Sequence, residues 1–290
     1  MLTLAAGAAT LVLAPEIGGA VCDWQRGGLP IFRPTDPASL PRRDPRTLGS
    51  YPLVPFSNRI AGRRFTWAGI TWDLPEQFGG HAIHGVGWLR EWTVAEHTPT
   101  HALLTLDQPA CAEWPFALRA WQRFELGEDT LVSEIGVANT DSRPWPAGLG
   151  QHPYFPKSPG VRLTMRATSV WQNSDLRIPT LRTPVPADWD HSAGRPVDGV
   201  VDHCFAGWDG VAAIDHPALG YRLTNTAGLP FRHVVYFVPD GRDFFAVEPV
   251  SHMSDAINRM ATEADHGLIV LPPGGQLEGR IDYRISALSG

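Results

Sequence analysis

Two segments of the sequence place an ionisable side chain directly before a proline. They are residues 148–155 (GLGQHPYF), which contain His152, and residues 244–249 (FFAVEP), which contain Glu248. Proline disfavours helical backbone in the residue before it, so we expect both side chains to project from extended backbone at strand ends. A glutamate is ionised near neutral pH and can accept a proton, whereas a histidine donates one when a nearby anion favours its charged form. The pair therefore predicts general acid–base chemistry.

Three further segments combine polar side chains with turn residues in a way that strand packing alone does not require. They are residues 55–60 (PFSNRI) with Asn58 and Arg59, residues 81–85 (HAIHG) with His81 and His84, and residues 201–205 (VDHCF) with Asp202. An arginine offers a planar fork of donors to neighbouring hydroxyl groups, and an asparagine adds a short amide. These segments predict a polar binding site around the acid–base pair, with Asp202 or Glu248 as the anion near His152.

The spacing of His81 and His84 also occurs at zinc sites, but no cysteine or carboxylate lies at a ligand spacing nearby. Residues three apart on a strand point to opposite faces, so we expect only one of the two histidines to enter a groove. We therefore expect no metal site here.

The five segments, in this order, resemble the aldose 1-epimerase (galactose mutarotase) family. The resemblance implies an all-β fold, a large antiparallel β-sandwich often called a supersandwich, with a sugar bound on one broad sheet face. It also implies a role for each site residue: Glu248 as general base, His152 as general acid, His84 as second active-site histidine, and Arg59, Asp202 and Asn58 as substrate-binding residues. The sequence departs from the family pattern at His203, where aspartate or asparagine is more frequent.

The reaction implied by this resemblance is the interconversion of the α and β anomers of a monosaccharide. One group removes the proton of the C1 hydroxyl while another protonates the ring oxygen, and rotation about the C1–C2 bond precedes reclosure. The chemistry needs no cofactor, metal or covalent intermediate. Trp88, Tyr154 and Phe245 are candidates for stacking on the sugar.

Three other functions are compatible with the same residues. A non-catalytic carbohydrate-binding protein would keep the groove without the chemistry, and a glycosidase would use Glu248 and Asp202 as opposed carboxylates. A hexose-6-phosphate epimerase would bind phosphate through Arg63 and Arg64, which are otherwise expected to be exposed strand charges.

Period-two alternation and turn residues predict several hairpins. We expect one at the N-terminus with its turn at residues 5–8, one over residues 121–137 with its turn at residues 127–129, and one joining residues 233–238 to residues 244–247. Residues 254–262 are the best helix candidate, and the proline-rich residues 179–196 predict a long surface loop.

The composition supports one large β-rich domain over residues 1–290, with 29 glycines and 27 prolines for many turns. The net charge of −6, without a basic stripe, argues against a nucleic-acid partner. Residues 2–13 are interrupted too early for a signal peptide, and no apolar run reaches the length of a membrane span. Three cysteines show no disulfide pattern, so we expect a cytoplasmic protein; its oligomeric state is left open.

Overall fold

The computed structural model describes residues 1–288, which form mainly β-strands. The first thirteen strands are β1 (Leu2–Ala6), β2 (Ala9–Ala14), β3 (Ala20–Arg26), β4 (Leu29–Pro30), β5 (Pro52–Leu53), β6 (Arg59–Ile60), β7 (Arg64–Trp67), β8 (Ile70–Asp73), β9 (Ala82–Ile83), β10 (Thr93–His97), β11 (His101–Gln108), β12 (Leu118–Leu126) and β13 (Thr130–Asn139). The remaining strands are β14 (Trp145–Ala147), β15 (Gly150–Gln151), β16 (Tyr154–Pro156), β17 (Arg162–Met165), β18 (Ser169–Asn173), β19 (Pro179–Pro184), β20 (Arg195–Pro196), β21 (Val201–Ala206), β22 (Val211–His216), β23 (Tyr221–Ala227), β24 (His233–Val238), β25 (Phe244–Val250), β26 (Ile269–Leu271) and β27 (Gln276–Ala287).

Helical structure is limited to short segments. The α-helix α1 covers Ala256–Arg259, and 3-10 turns cover Pro37–Arg42, Pro45–Thr47, Ala61–Arg63, Gly87–Leu89, Ala187–Trp189 and Pro217–Leu219. Among the described residues, no helix has both the length and the apolar character needed to cross a bilayer. Of the helix predicted at residues 254–262, only the central turn, Ala256–Arg259, is helical.

Two large antiparallel sheets build the molecule. One has nine strands in the order β10-β11-β12-β13-β27-β23-β22-β17-β20. The other has eight, in the order β19-β18-β21-β24-β25-β15-β5, with β16 also paired to β25. A four-stranded sheet, β1 to β4, and three small two-stranded pairs complete the fold. The predicted all-β class and antiparallel sandwich are confirmed.

The two large sheets meet across a core that contains a few hydrogen-bonded polar groups. Gln151 on β15 donates to Gln122 on β12 (3.2 Å) and to Ser133 on β13 (3.4 Å), and Gln122 donates to the carbonyl of Gly19 (2.9 Å). Buried amides stay in place only when such partners satisfy them. This chain of bonds links the strand that precedes His152 to the facing sheet.

The predicted hairpins are confirmed. Strand β1 pairs with β2, β12 pairs with β13 around residues 127–129, and β24 pairs with β25. The prediction of a loop over residues 179–196 is wrong in part, because β19 pairs with β18 at the edge of the eight-stranded sheet and β20 pairs with β17. Proline is tolerated on edge strands, where an N–H group can be missing without loss of a sheet hydrogen bond.

Candidate active site

The eight-stranded sheet and the small β6–β9 pair bring together the six side chains that the sequence singles out. Asp202 on β21 stands opposite Phe237 on β24. Glu248 on β25 stands opposite Val235, which lies two residues before Phe237 on β24. Since cross-strand partners and alternate residues share one face of a sheet, Asp202, Phe237 and Glu248 point to the same side. There they line a cleft of about 110 Å³ together with His152, His84, Arg59 and Asn58.

His152 and Glu248 lie next to each other in this cleft. His152 follows β15, and its Nε2 is 3.2 Å from Oε1 of Glu248. Both side chains are almost fully buried, with 7% and 3% of their surfaces exposed. Tyr51 stacks on the imidazole with 4.6 Å between ring centroids, and Tyr154 lies 4.4 Å away from it. The two tyrosines fix the plane of the ring, so His152 keeps its Nε2 directed at the carboxyl group.

Burial controls the charge of this pair. It raises the pKa of Glu248 well above its usual range, and the neighbouring Asp202 adds to this effect while Arg59 opposes it. Burial, aided by the positive charge of Arg33, lowers the pKa of His152 to about 3. Burial therefore favours the uncharged form of each group, a carboxylic acid at Glu248 and a neutral imidazole at His152. This corrects the expectation that Glu248 is simply ionised and that a nearby anion keeps His152 charged.

Asn58 and His84 face each other through two hydrogen bonds. The N–H of Asn58 donates to Nδ1 of His84 (3.0 Å), and the N–H of His84 donates to the carbonyl of Asn58 (2.9 Å). Both residues have left-handed backbone, with φ of 55° and 60°, which is unfavourable outside glycine and is maintained by these contacts. Because Nδ1 of His84 is an acceptor and burial lowers the pKa of this histidine well below its usual value, the proton is on Nε2.

The side chain of Asn58 also sets the position of Arg59. Its Oδ1 accepts hydrogen bonds from the Arg59 backbone (2.9 Å), the Arg59 guanidinium (3.2 Å) and the hydroxyl of Ser254 (2.9 Å). The guanidinium then extends toward Asp202, with 3.9 Å between Nη2 and Oδ2. A half-exposed Arg177 approaches the same Oδ2 to 3.8 Å.

The structure adds cleft residues that sequence reasoning missed. They are Arg46, Tyr51, Phe78, Ile83 and Phe237. Only Phe78 has a local sequence feature that could have marked it as a site residue, since a large apolar residue before two glycines is unusual in a turn. The others belong to ordinary apolar strands and loops, and only the tertiary fold brings them to the cleft.

Of the three aromatic residues proposed to stack on a sugar, the structure places only Tyr154 at the cleft. Phe245 is fully buried on the opposite face of β25. Trp88 lies behind His84, where its indole N–H donates to the carbonyls of Ile83 and Gly85. The stacking predictions for Phe245 and Trp88 are therefore not supported by their placement.

Two other sequence patterns lie outside the cleft. His81 accepts a hydrogen bond from the backbone N–H of Gly62 (3.1 Å), so only His84 of the two histidines enters the cleft. Arg63 and Arg64 are exposed, and Arg64 pairs with Asp73 (2.7 Å), which leaves no basis for a phosphate site there. Over residues 1–288, no group of three or more histidine, cysteine or carboxylate side chains is arranged to hold a metal ion.

Comparison with known proteins agrees with this fold. The family model described as aldose 1-epimerase matches residues 1–284, and the chain belongs to this family. Protein YphB of Escherichia coli K12, itself uncharacterized, is 30% identical over 298 residues, covering 99% of each chain. A candidate aldose 1-epimerase of known crystal structure from E. coli K12 is also 30% identical, with a TM-score of 0.90 and 99% of each chain covered.

More distant solved structures share the fold. A galactose mutarotase-like protein from Clostridium acetobutylicum is 19% identical, with a TM-score of 0.86 over 99% of this chain and 95% of its own. A galactose 1-epimerase from Lactobacillus acidophilus NCFM is 16% identical, with a TM-score of 0.82 over 99% of this chain and 94% of its own. At these identities the likeness describes the architecture alone.

Proposed function

We propose that this protein is an aldose 1-epimerase that interconverts the α and β anomers of a monosaccharide by opening and reclosing the ring. The observation that carries the proposal is the contact of 3.2 Å between Nε2 of His152 and Oε1 of Glu248 at a polar cleft. A binding protein does not require two proton-transfer groups side by side. The family membership of the chain supports the same reaction class.

The pair supplies both proton transfers that ring opening needs. Glu248 as carboxylate accepts the proton of the C1 hydroxyl, while His152 as imidazolium donates a proton to the ring oxygen. After this step the pair is a carboxylic acid and a neutral imidazole, which is the form that burial favours. Burial thus stabilises the pair in the state that accompanies the open-chain aldehyde, and closure returns the protons.

The surrounding residues prepare the pair for the closed sugar. Hydrogen bonds from sugar hydroxyls and the charge of Arg59 favour the carboxylate form of Glu248, since both stabilise negative charge. The Nε2–H of His84 and the amide of Asn58 offer hydrogen bonds to further hydroxyls, and Asp202 accepts from others. Tyr154 and Phe237 provide apolar surface for the C–H groups of the ring.

Mutarotation assays test the proposal directly. Fresh α-glucose and α-galactose are followed by polarimetry, and we expect the wild type to exceed the buffer rate. Glu248→Gln and His152→Asn should each lower kcat/KM by about 10² to 10⁴-fold, the usual contribution of one positioned acid or base. The matched control is Arg63→Met, an exposed residue outside the cleft, which should retain wild-type activity.

Three outcomes would contradict this function. A wild type no faster than buffer on any common aldose would exclude mutarotation of free sugars. Equal rates for wild type and Glu248→Gln, with sugar binding retained, would favour a non-catalytic carbohydrate-binding protein. Release of reducing sugar from an oligosaccharide would favour a glycosidase that uses Glu248 and Asp202.

We further propose that the enzyme acts in the cytoplasm without a cofactor. Cys22, Cys111 and Cys204 are free thiols, which is typical of a reducing compartment. The proton transfers described above need no metal or organic cofactor. The mutarotation rate should therefore be unchanged after dialysis against EDTA.

A further inference from the structure

Two arginines approach one carboxylate oxygen at the Asp202 end of the cleft. Nη2 of Arg59 is 3.9 Å and Nε of Arg177 is 3.8 Å from Oδ2 of Asp202. Asp202 is 12% exposed at its side chain and Arg59 is 10% exposed, whereas Arg177 is 46% exposed. One carboxylate therefore faces two guanidinium groups, and the outer one, that of Arg177, is half exposed.

The position of Arg177 is set by a tight hairpin turn. It lies between β18 and β19, with a left-handed φ of 61°. The turn is closed by hydrogen bonds from the Arg177 N–H to the Ser174 carbonyl (2.9 Å) and from the Ser174 N–H to the Ile178 carbonyl (2.9 Å). The base of the hairpin is joined to the site, because the Asn173 amide donates to the Asp202 carbonyl (2.6 Å). Arg177 is thereby held beside the cleft.

One carboxylate is shared by both arginines at this end of the cleft. Glu248, the other carboxylate among the described lining residues, lies against His152 instead, and burial raises its pKa well above its usual range. Arg46, a third arginine at the cleft, is matched by Asp44 through contacts of 2.8 and 2.9 Å. Two guanidinium groups therefore face the single carboxylate of Asp202, although the whole chain carries −6.

We propose that Arg177, together with Arg59, binds an anionic substituent of the sugar, so that the preferred substrate is an aldose with a carboxylate or phosphate on a carbon remote from C1. The inference builds on the mutarotase function proposed above and names its substrate class. Charge-assisted hydrogen bonds from a guanidinium to a carboxylate or phosphate are geometrically well matched. Asp202 keeps its other oxygen for a neutral hydroxyl.

The first experiment compares sugars of one stereochemistry that differ in charge. Rates of anomer exchange for glucose, glucuronate and glucose 6-phosphate are measured by NMR magnetisation transfer, with the buffer rate subtracted. We expect kcat/KM to be at least about tenfold higher for one anionic sugar than for glucose, the effect of one charge-assisted hydrogen bond. The two anionic sugars separate a carboxylate site from a phosphate site.

Variants then test whether Arg177 is responsible. Arg177→Met should lower the ratio of kcat/KM for the anionic sugar to that for glucose by about tenfold, and Arg177→Lys should restore part of it. Because the ratio is taken within each variant, a general loss of activity cancels. Arg63→Met, which removes an exposed arginine outside the cleft, should leave the ratio unchanged.

Binding measurements separate this inference from the mutarotase proposal. Methyl β-glucoside and methyl β-glucuronide cannot open their rings, so calorimetry with both reports recognition without reaction. Methyl β-glucoside 6-phosphate is the matching probe for a phosphate site. We expect one of the two charged glycosides to bind more tightly than methyl β-glucoside, a preference that weakens with added salt and is lost in Arg177→Met.

If no aldose exchanges anomers above the buffer rate, the mutarotase function is wrong. If glucose reacts and binds as well as the charged sugars, or Arg177→Met keeps the wild-type ratio, the anion site is wrong and the mutarotase function stands.

Discussion

The single proton of the His152–Glu248 pair determines the pH range in which the site can work. Each transfer step moves a proton to one member of the pair while the other releases one, so the pair must hold one proton before and after every step. A second proton would leave no base, and loss of the only proton would leave no acid. The depth of the two side chains in the sheet therefore matters as much as their identity.

The pH profile of kcat/KM should be broad. Burial lowers the pKa of His152 to about 3 and raises that of Glu248, so the pair takes up a second proton only in acid and keeps its first proton to higher pH than a solvated glutamate would. We expect kcat/KM to stay constant between about pH 5 and pH 7, whereas a solvated histidine would halve the rate near its reference pKa of ~6.5. NMR magnetisation transfer, with buffer exchange subtracted, measures the profile. A half-maximal point near pH 6.5 would contradict the neutral pair.

The sequence identifies the six polar side chains of the cleft but not their charges or all their neighbours. Reference pKa values apply to solvated groups, and the shift at Glu248 arises from burial that only the fold creates. Tyr51 and Arg177 reach the site from separate parts of the chain, and neither has a local pattern that marks it. The direction of a hairpin turn, which places Arg177, is a tertiary property.

At the scale of elements, the segment that follows β25 joins the other site segments. Residues 251–255 are buried, and all but Met253 are polar. They form hydrogen bonds with both residues 57–61 and residues 148–149. Nε2 of His252 accepts from the Ser57 N–H (2.9 Å), and the Arg59 carbonyl accepts from the Asp255 N–H (2.8 Å). The hydroxyl of Ser251 accepts from the Leu149 N–H (2.9 Å). Strand β25, which carries Glu248, therefore continues directly into residues 251–255, which hold Arg59 in position. We call this segment the clasp.

Packing at Gly148 shows how closely this clasp fits. A Cβ added to Gly148 would lie 2.0 Å from Cδ2 of His252, far inside van der Waals contact. Any side chain at Gly148 would displace His252 and with it the hydrogen bond to Ser57. This close approach gives a physical reason for the glycine that begins the segment containing His152.

Removing one contact of the clasp should affect binding more than chemistry. In Ser254→Ala, Oδ1 of Asn58 loses its bond of 2.9 Å while Glu248 and His152 are untouched. We expect KM to rise several-fold with a smaller change in kcat, and the free energy of unfolding to fall by about 1 kcal/mol. Steady-state kinetics and urea unfolding measure the two effects.

The control is Ser286→Ala, an exposed serine on β27, which should change neither KM nor stability. If Ser254→Ala lowers kcat and leaves KM unchanged, the clasp does not act by positioning Arg59.

The same segment shows why element boundaries were hard to predict. The helix expected at residues 254–262 covers only Ala256–Arg259, and Asp255 precedes it without a capping hydrogen bond from its side chain. Its carboxylate accepts from the backbone N–H of Ala61 (3.0 Å) instead, and its backbone is left-handed. A sequence pattern shows a potential cap, but it does not show a tertiary donor that competes for the same oxygen.

Across the whole molecule, the fold buries histidines from several separate elements. Burial lowers the pKa values of His84, His152, His191, His216, His233 and His252, to about 4 for His216 and His252. His216 belongs to the nine-stranded sheet and accepts or donates a hydrogen bond of 2.8 Å with Ser158, far from the chemistry proposed here. These histidines link the stability of the sandwich to pH.

The protein should lose stability in mild acid. A histidine with a lowered folded pKa binds protons better when the chain is unfolded. Its contribution to the free energy of unfolding is therefore fully present above the pKa of the unfolded state, ~6.5, and is lost as the pH falls toward the pKa of the folded state. The loss is up to ~1.4 kcal/mol per pH unit for each histidine. The raised pKa of Glu248 acts in the opposite direction, because the folded state then binds protons better at this site. We expect the urea midpoint to fall steeply between about pH 6.5 and pH 4.5.

A pair of variants isolates the contribution of a single buried histidine to this acid sensitivity. His216→Gln removes a buried imidazole outside the cleft, so the slope of unfolding free energy against pH should decrease by up to ~1.4 kcal/mol per pH unit. The matched control is His97→Gln, which removes an exposed imidazole and should leave the slope unchanged. Urea unfolding at several pH values measures both slopes. Equal slopes in the two variants, or a wild-type midpoint that stays constant from pH 6.5 to pH 4.5, would show that the buried histidines do not control acid stability.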